Sequence, residues 1–190
     1  MIKLHSLTFA MIITLAIAPT AGHCQQLSEQ RIVSSLGKLT AAAPIVDVAI
    51  LRQEAMSGKA IEALPNWSKV AKLPQMIVEI NFRNDSVMIE PESYRTIGMI
   101  ADALHHPNLW DYKFLIVGHT SSTGSDEHNM DLSERRAAAI REMLSTTFAV
   151  APERLYAVGV GEYFPIEGSN ADAANNRRVQ LFNLGVFKKQ

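Results

Sequence analysis

The stretch Phe114-Leu115-Ile116-Val117-Gly118-His119-Thr120-Ser121-Ser122-Thr123-Gly124-Ser125, carried on through Asn129 to Leu132-Ser133-Glu134-Arg135-Arg136-Ala137, decides how the chain is read. Four consecutive apolar residues, Phe114 to Val117, suit a strand covered on both faces. The polar run Gly118–Asn129, with glycines inside it, reads as a loop. A helix is predicted from Leu132 to Phe148, with Ile140, Leu144 and Phe148 on one side.

The elements on either side follow the same alternation. Upstream, Val78, Ile80 and Phe82 alternate with Glu79 and Asn81, the period-2 pattern of a half-buried strand. Pro91 suits the first turn of a helix, in which Tyr94, Ile97, Ala101 and Leu104 recur at helical spacing up to His105-His106-Pro107. Downstream, Leu155–Val160 and Val179–Leu184 supply two more strands. The order βαβαββ predicts an α/β domain over residues 76–190, with helices packed on a mixed sheet. Residues 24–75 read as short helices and linker. They hold an amphipathic stretch at Ile32, Leu36 and Leu39, a break at Ala41-Ala42-Ala43-Pro44, and an apolar run from Ile45 to Leu51 interrupted only by Asp47. Gly58, Pro65 and Pro74 punctuate the rest, and Trp67 is expected to pack or dock. No repeat at a fixed period is visible.

Residues 1–23 have the layout of an export signal: Lys3, an uncharged, mostly apolar run from Leu7 to Ala18, then Pro19, Thr20, Ala21 and Gly22. The run is too short for a permanent membrane span. The single cysteine, Cys24, sits where a lipoprotein signal peptidase would leave a new N-terminus. Ala21-Gly22-His23 matches the preceding motif except for the bulky His23. A lipid on Cys24 would hold the chain on a membrane without a spanning helix. With 18 Lys+Arg against 19 Asp+Glu, the net charge of −1 points neither to nucleic acid nor to a solvating acidic tail. The one cysteine excludes an internal disulfide and a cysteine-rich zinc site.

The motifs quoted above, with Phe82…Ser86, Gly159-Val160-Gly161-Glu162 with Pro165, and Asn176-Arg177-Arg178-Val179, resemble the OmpA-like C-terminal domain over roughly residues 76–186. That resemblance implies a domain that grips the peptide stem of peptidoglycan in the periplasm. It implies a site at Arg136, Ser121, Thr120, Asn129, Arg83 and Phe82. The stem's diaminopimelate offers a carboxylate, which an Arg fork pairs bidentately, and an ammonium, which an Asp pairs. The motif's Arg is Arg136, which shares a helix face with Ile140 and Leu144, whereas Arg135 turns to solvent. Free N–H groups near Leu132-Ser133, at the expected helix start, favour an anion there. Two positions depart from the family pattern: Ser121 stands where Asp is usual, and Arg83 replaces the Asp that commonly follows the strand's Phe. Asp126, Glu127 and Asp131 are candidate substitutes.

Enzymatic readings are weaker. His105, His106, His119 and His128 match no metal-ligand spacing, so neither a metal nor a cofactor is expected. Ser121, Ser122 and Ser125 near His119 lack a nucleophile elbow and an orienting acid. Gly159-Val160-Gly161 lacks the third glycine of a dinucleotide loop. Two functions follow from the resemblance. One is an exported, lipid-anchored protein on the periplasmic face of the outer membrane, tethering that membrane or an envelope complex to peptidoglycan. The other is a structural subunit of an envelope secretion machine that has lost wall binding. In layout the chain is similar to small OmpA-like lipoproteins of type IVB secretion cores.

Overall fold

The computed structural model describes residues 27–37 and 46–186. The predicted signal segment 1–23 and Cys24 lie outside them. In chain order the elements are α1 (Glu29–Leu36), α2 (Val48–Ala55), α3 (Trp67–Val70), β1 (Gln75–Val78), α4 (Ser93–His105), β2 (Tyr112–Gly118), α5 (Asp126–Thr146), β3 (Leu155–Gly159) and β4 (Val179–Val186). From β1 onward this is the expected βαβαββ order. The strands form one mixed sheet in the spatial order β1-β4-β2-β3. β2 and β3 run parallel across the α5 crossover, with Phe114 opposite Leu155 and Gly118 opposite Gly159. β4 is antiparallel to β2 on one side and to β1 on the other.

Every side chain from Phe114 to Val117 is fully buried, because both sheet faces are covered. Phe114 and Ile116 pack with Ile97, Ile100 and Leu104 of α4 and with Ile140 and Leu144 of α5. Ile32 and Leu36 of α1 join that layer, and the Asn183 amide donates to the Leu36 carbonyl at 2.7 Å. Leu115 and Val117 face the opposite layer, which residues 46–73 supply through Leu51, Ala55, Leu64, Trp67 and Val70. Trp67 is the keystone of that layer. Its indole N–H donates to the Leu51 carbonyl at 2.7 Å and its ring meets Phe164 edge-on at 5.1 Å. The Glu54 carboxylate accepts from the backbone N–H groups of Asn66 and Trp67, both at 3.1 Å, and so satisfies the start of α3. The expected packing role of Trp67 is thus observed.

The structure departs from the sequence expectation at the first strand, in the first turn of α4 and at the start of α5. The first strand's ladder covers Gln75–Val78 rather than running through Phe82. The burial alternation continues through Val78 and Ile80, but Asn81–Glu90 leaves the sheet as a small hairpin, with Phe82 bridging Ile89. In α4 the first turn is anchored by buried Ser93, whose hydroxyl accepts from the Asn81 N–H at 2.8 Å, while Tyr94 is exposed. The third is the start of α5, six residues before Leu132. Ser125 caps it by accepting from the His128 N–H, and Asp126 and Glu127 occupy the first turn, where acids suit the helix dipole. Asn129 is therefore a helical residue. The free N–H groups belong to the first turn after Ser125, not to Leu132-Ser133.

Gly118 and Gly159 set how closely α5 lies on the sheet. A Cβ on Gly118 would come within 2.3 Å of the Ser133 carbonyl oxygen, and one on Gly159 within 2.2 Å of the Glu134 nitrogen. The helix backbone rests directly on the C-terminal ends of β2 and β3. Arg136 follows one turn later.

Candidate functional site: an arginine-lined cleft

A cleft of about 750 Å³ opens where β1, β2 and β4 end beside the Asn81–Glu90 hairpin. Arg136 projects into it from α5 on the Ile140–Leu144 stripe and is 8% exposed. Its Nε donates to the Ser86 carbonyl at 2.9 Å and its Nη2 to the Arg83 carbonyl at 3.3 Å. The guanidinium lies over the Phe82 ring, 4.9 Å from its centroid, an arrangement that favours a cation. Among the described residues no carboxylate lies within ion-pairing distance of it. Burial pushes its pKa below the usual arginine value. The neighbouring charge of Arg177 adds to that shift, and Asp85 partly opposes it. Arg135 is turned outward, as expected, and pairs with Asp131 at 2.8 Å.

The other residues implied by the resemblance do not all converge on this cleft. Phe82 lines it with Arg136. Arg83 contributes its carbonyl, whereas its guanidinium is exposed and reaches toward Glu90 at 3.8 Å. Thr120, Ser121 and Asn129 are buried and brace the loop. The Thr120 N–H donates to the Gly161 carbonyl at 2.9 Å, the Ser121 hydroxyl meets that of Thr123 at 3.0 Å, and the Asn129 amide donates to the Glu162 carboxylate. The candidate substitute acids Asp126, Glu127 and Asp131 do not line the cleft. Asp126 accepts from the Tyr163 hydroxyl at 3.4 Å, and Asp131 holds Arg135.

Sequence reasoning passed over four residues that line the cleft: Arg177, Arg178, His119 and Glu79. In the sequence, Arg177 and Arg178 count only as part of the motif Asn176-Arg177-Arg178-Val179, with no site role attached. Register is what brings them here. Val78 pairs with Val179 across antiparallel strands, so the next residues outward, Glu79 and Arg178, flank the same sheet end. Arg178 is 9% exposed; its Nη2 donates to the Phe164 carbonyl at 2.9 Å, while its Nε has no hydrogen-bond partner among the described residues. Burial pushes its pKa down to about 10. The His119 backbone N–H donates to the Arg178 carbonyl at 3.0 Å. Its ring is buried, with the Gln180 amide beside it, and among the described residues neither nitrogen is in hydrogen-bond geometry with a partner. Burial first, and then the Arg178 charge, hold the His119 pKa well below the ordinary histidine value. The ring is neutral at pH 7, and the cleft's charge comes from three arginines against Glu79. That charge balance suits an anionic group better than a cationic one.

The model of the OmpA family matches residues 81–178, more than half of the chain. Outer membrane porin F of Pseudomonas aeruginosa is 36% identical over 115 residues, covering 58% of this chain and 32% of that protein. The peptidoglycan-binding protein ArfA of Mycobacterium tuberculosis is 31% identical over 143 residues, covering 71% of this chain and 43% of that protein. The chain thus spans less than half the length of either relative. Among solved structures, the OmpA-like domain of FopA1 from Francisella tularensis superposes with a TM-score of 0.50 at 18% identity, over 60% of this chain and 77% of that one. At that identity the likeness concerns the fold alone.

Proposed function

The chain belongs to the OmpA family, and from that premise we propose that it is an envelope tether whose cleft holds a carboxylate of the peptidoglycan peptide stem. The observation that carries this reading is Arg136. Its guanidinium is buried in a cleft, aimed by two carbonyls and an aromatic ring, and unmatched by any acid among the described residues. An arginine oriented in this way is a receptor for an external carboxylate. The peptidoglycan-binding name of the Mycobacterium relative supports the same ligand.

The test is a pull-down of the purified chain on insoluble peptidoglycan sacculi. Binding in the wild type should fall about ten- to a hundredfold in Arg136→Ala, since hydrogen bonds to charged groups contribute roughly 1.5–3 kcal/mol, and should change little in Arg135→Ala. Equal retention of all three chains would refute the reading. A second function, a structural subunit of an envelope secretion machine, draws support from the absence of acids at Ser121 and Arg83. Wild-type protein that ignores sacculi would favour it. The secretion system to which such a subunit would belong, type IVB included, is a matter for pull-downs of its partners.

We place the protein on the periplasmic face of the outer membrane, held by lipid on Cys24. Among the described residues no helix is long and apolar enough to cross a membrane. Cys24→Ser should move the protein from the membrane fraction to the soluble periplasm. An unmodified N-terminus by mass spectrometry on membrane-bound wild type would sink the lipid anchor. We read the domain as a binding module rather than an enzyme.

A further inference from the structure

Arg136 and Arg177 line one cleft and raise each other's electrostatic cost, which is why Arg177 is the leading charge that depresses the Arg136 pKa. Neither has an acid within ion-pairing distance among the described residues. Asp85, the acid that acts on Arg136 from farther away, is held by His128 at 2.7 Å. Two other lining side chains more than nine-tenths buried, His119 and Arg178, retain polar nitrogens without hydrogen-bond partners among the described residues. Polar groups buried in that way cost stability unless a ligand satisfies them.

The single acid among the described lining residues is Glu79. Strand alternation turns it to the opposite sheet face from Val78, whose side chain packs with Ala137 and Ile140 under α5. Glu79 therefore belongs with Arg178, on the far side of the sheet from Arg136, and is exposed. An ammonium brought beside Arg136 would meet a second guanidinium and, among the described residues lining that side of the cleft, no carboxylate; Asp85, outside the lining, is already engaged by His128.

We infer that this cleft recognises the stem through an anion alone, a carboxylate shared by Arg136 and Arg177, and gains nothing from the ammonium of diaminopimelate. This rests on the proposed stem-binding function and specifies its chemistry. The cleft is then selective for stem carboxylates and indifferent to amine-capped or amine-free residues at that position.

Calorimetric titration of the purified full chain with three soluble muropeptides tests it. These are a diaminopimelate tripeptide stem, the same stem with its side-chain amine acetylated, and the same stem with the diaminopimelate carboxylates amidated. Acetylation should change Kd by less than about threefold, and amidation should weaken binding at least about tenfold, the effect of one charge-assisted contact. Glu79→Gln, a change at an exposed position on the far side of the sheet from Arg136, should change Kd for the unmodified stem by less than about threefold, since solvent screens its charge. A tenfold loss on acetylation, or a loss of that size in Glu79→Gln, would overturn the inference while leaving stem binding intact. Failure to bind sacculi and all three muropeptides would overturn both.

Discussion

Two backbone carbonyls aim the Arg136 guanidinium without neutralising it, and the same residue-level economy recurs at His119. A buried imidazole that must stay neutral makes stability depend on pH. In the unfolded chain His119 titrates near its ordinary value of about 6.5; in the folded chain its pKa lies well below that. Below pH 6.5 the unfolded state therefore binds a proton that the native state refuses, and stability falls by about 1.4 kcal/mol per pH unit until the native pKa is reached. Above pH 6.5 this contribution is constant. Urea midpoints at pH 7 and pH 5.5 should show the wild type losing stability, with a shallower loss in His119→Gln. Identical pH dependence in the two chains would assign the effect elsewhere.

At the scale of elements, the seating of α5 on β2 and β3 decides where Arg136 ends up. A Cβ on Gly159 would meet the helix backbone at the Glu134 nitrogen, 2.2 Å, and its Cα, 2.6 Å, and also the buried Ser133 hydroxyl at 2.5 Å. Gly159→Ala must push the helix off the sheet and should cost about 1–3 kcal/mol, as overpacking generally does. Gly98, inside α4, is the contrasting site. A Cβ there would find only the Phe148 ring, at an ordinary 3.6 Å, so Gly98→Ala should gain about 0.5–1 kcal/mol from helix propensity. Thermal unfolding of both variants checks the pair, and an unaffected Gly159→Ala would show that α5 is free to slide.

For the molecule as a whole, residues 46–73 belong to the packed body. Leu51, Trp67 and Val70 are buried against Leu115, Val117 and Phe182, so this segment forms the second cover of the sheet. A chain starting at Gln75 would expose that apolar face to water, and exposed patches of that kind drive association. Such a truncation should bind hydrophobic dyes, aggregate, and lose cooperative unfolding, whereas a chain starting at Val46 keeps the cover. Monodisperse, cooperatively unfolding protein from the shorter chain would show that the cover is dispensable.

Local pattern accounted for much of this fold. The uninterrupted run Phe114–Val117 required two covered faces, the strand and helix periods yielded the βαβαββ order, and the 136–140–144 spacing placed Arg136 inward and Arg135 outward. Each is a property of neighbours along the chain, where periodicity and burial coincide. Capping moved the α5 start, because a Ser125 side chain satisfying a helix N–H outranks the apolar pattern that begins at Leu132. The makeup of the cleft was decided only in three dimensions. Strand register set Glu79 and Arg178 at one sheet end, the hairpin turned the Arg83 side chain away while presenting its carbonyl, and loop packing withdrew Ser121 from the surface. These contacts join residues far apart in sequence, and no local preference of either partner encodes them.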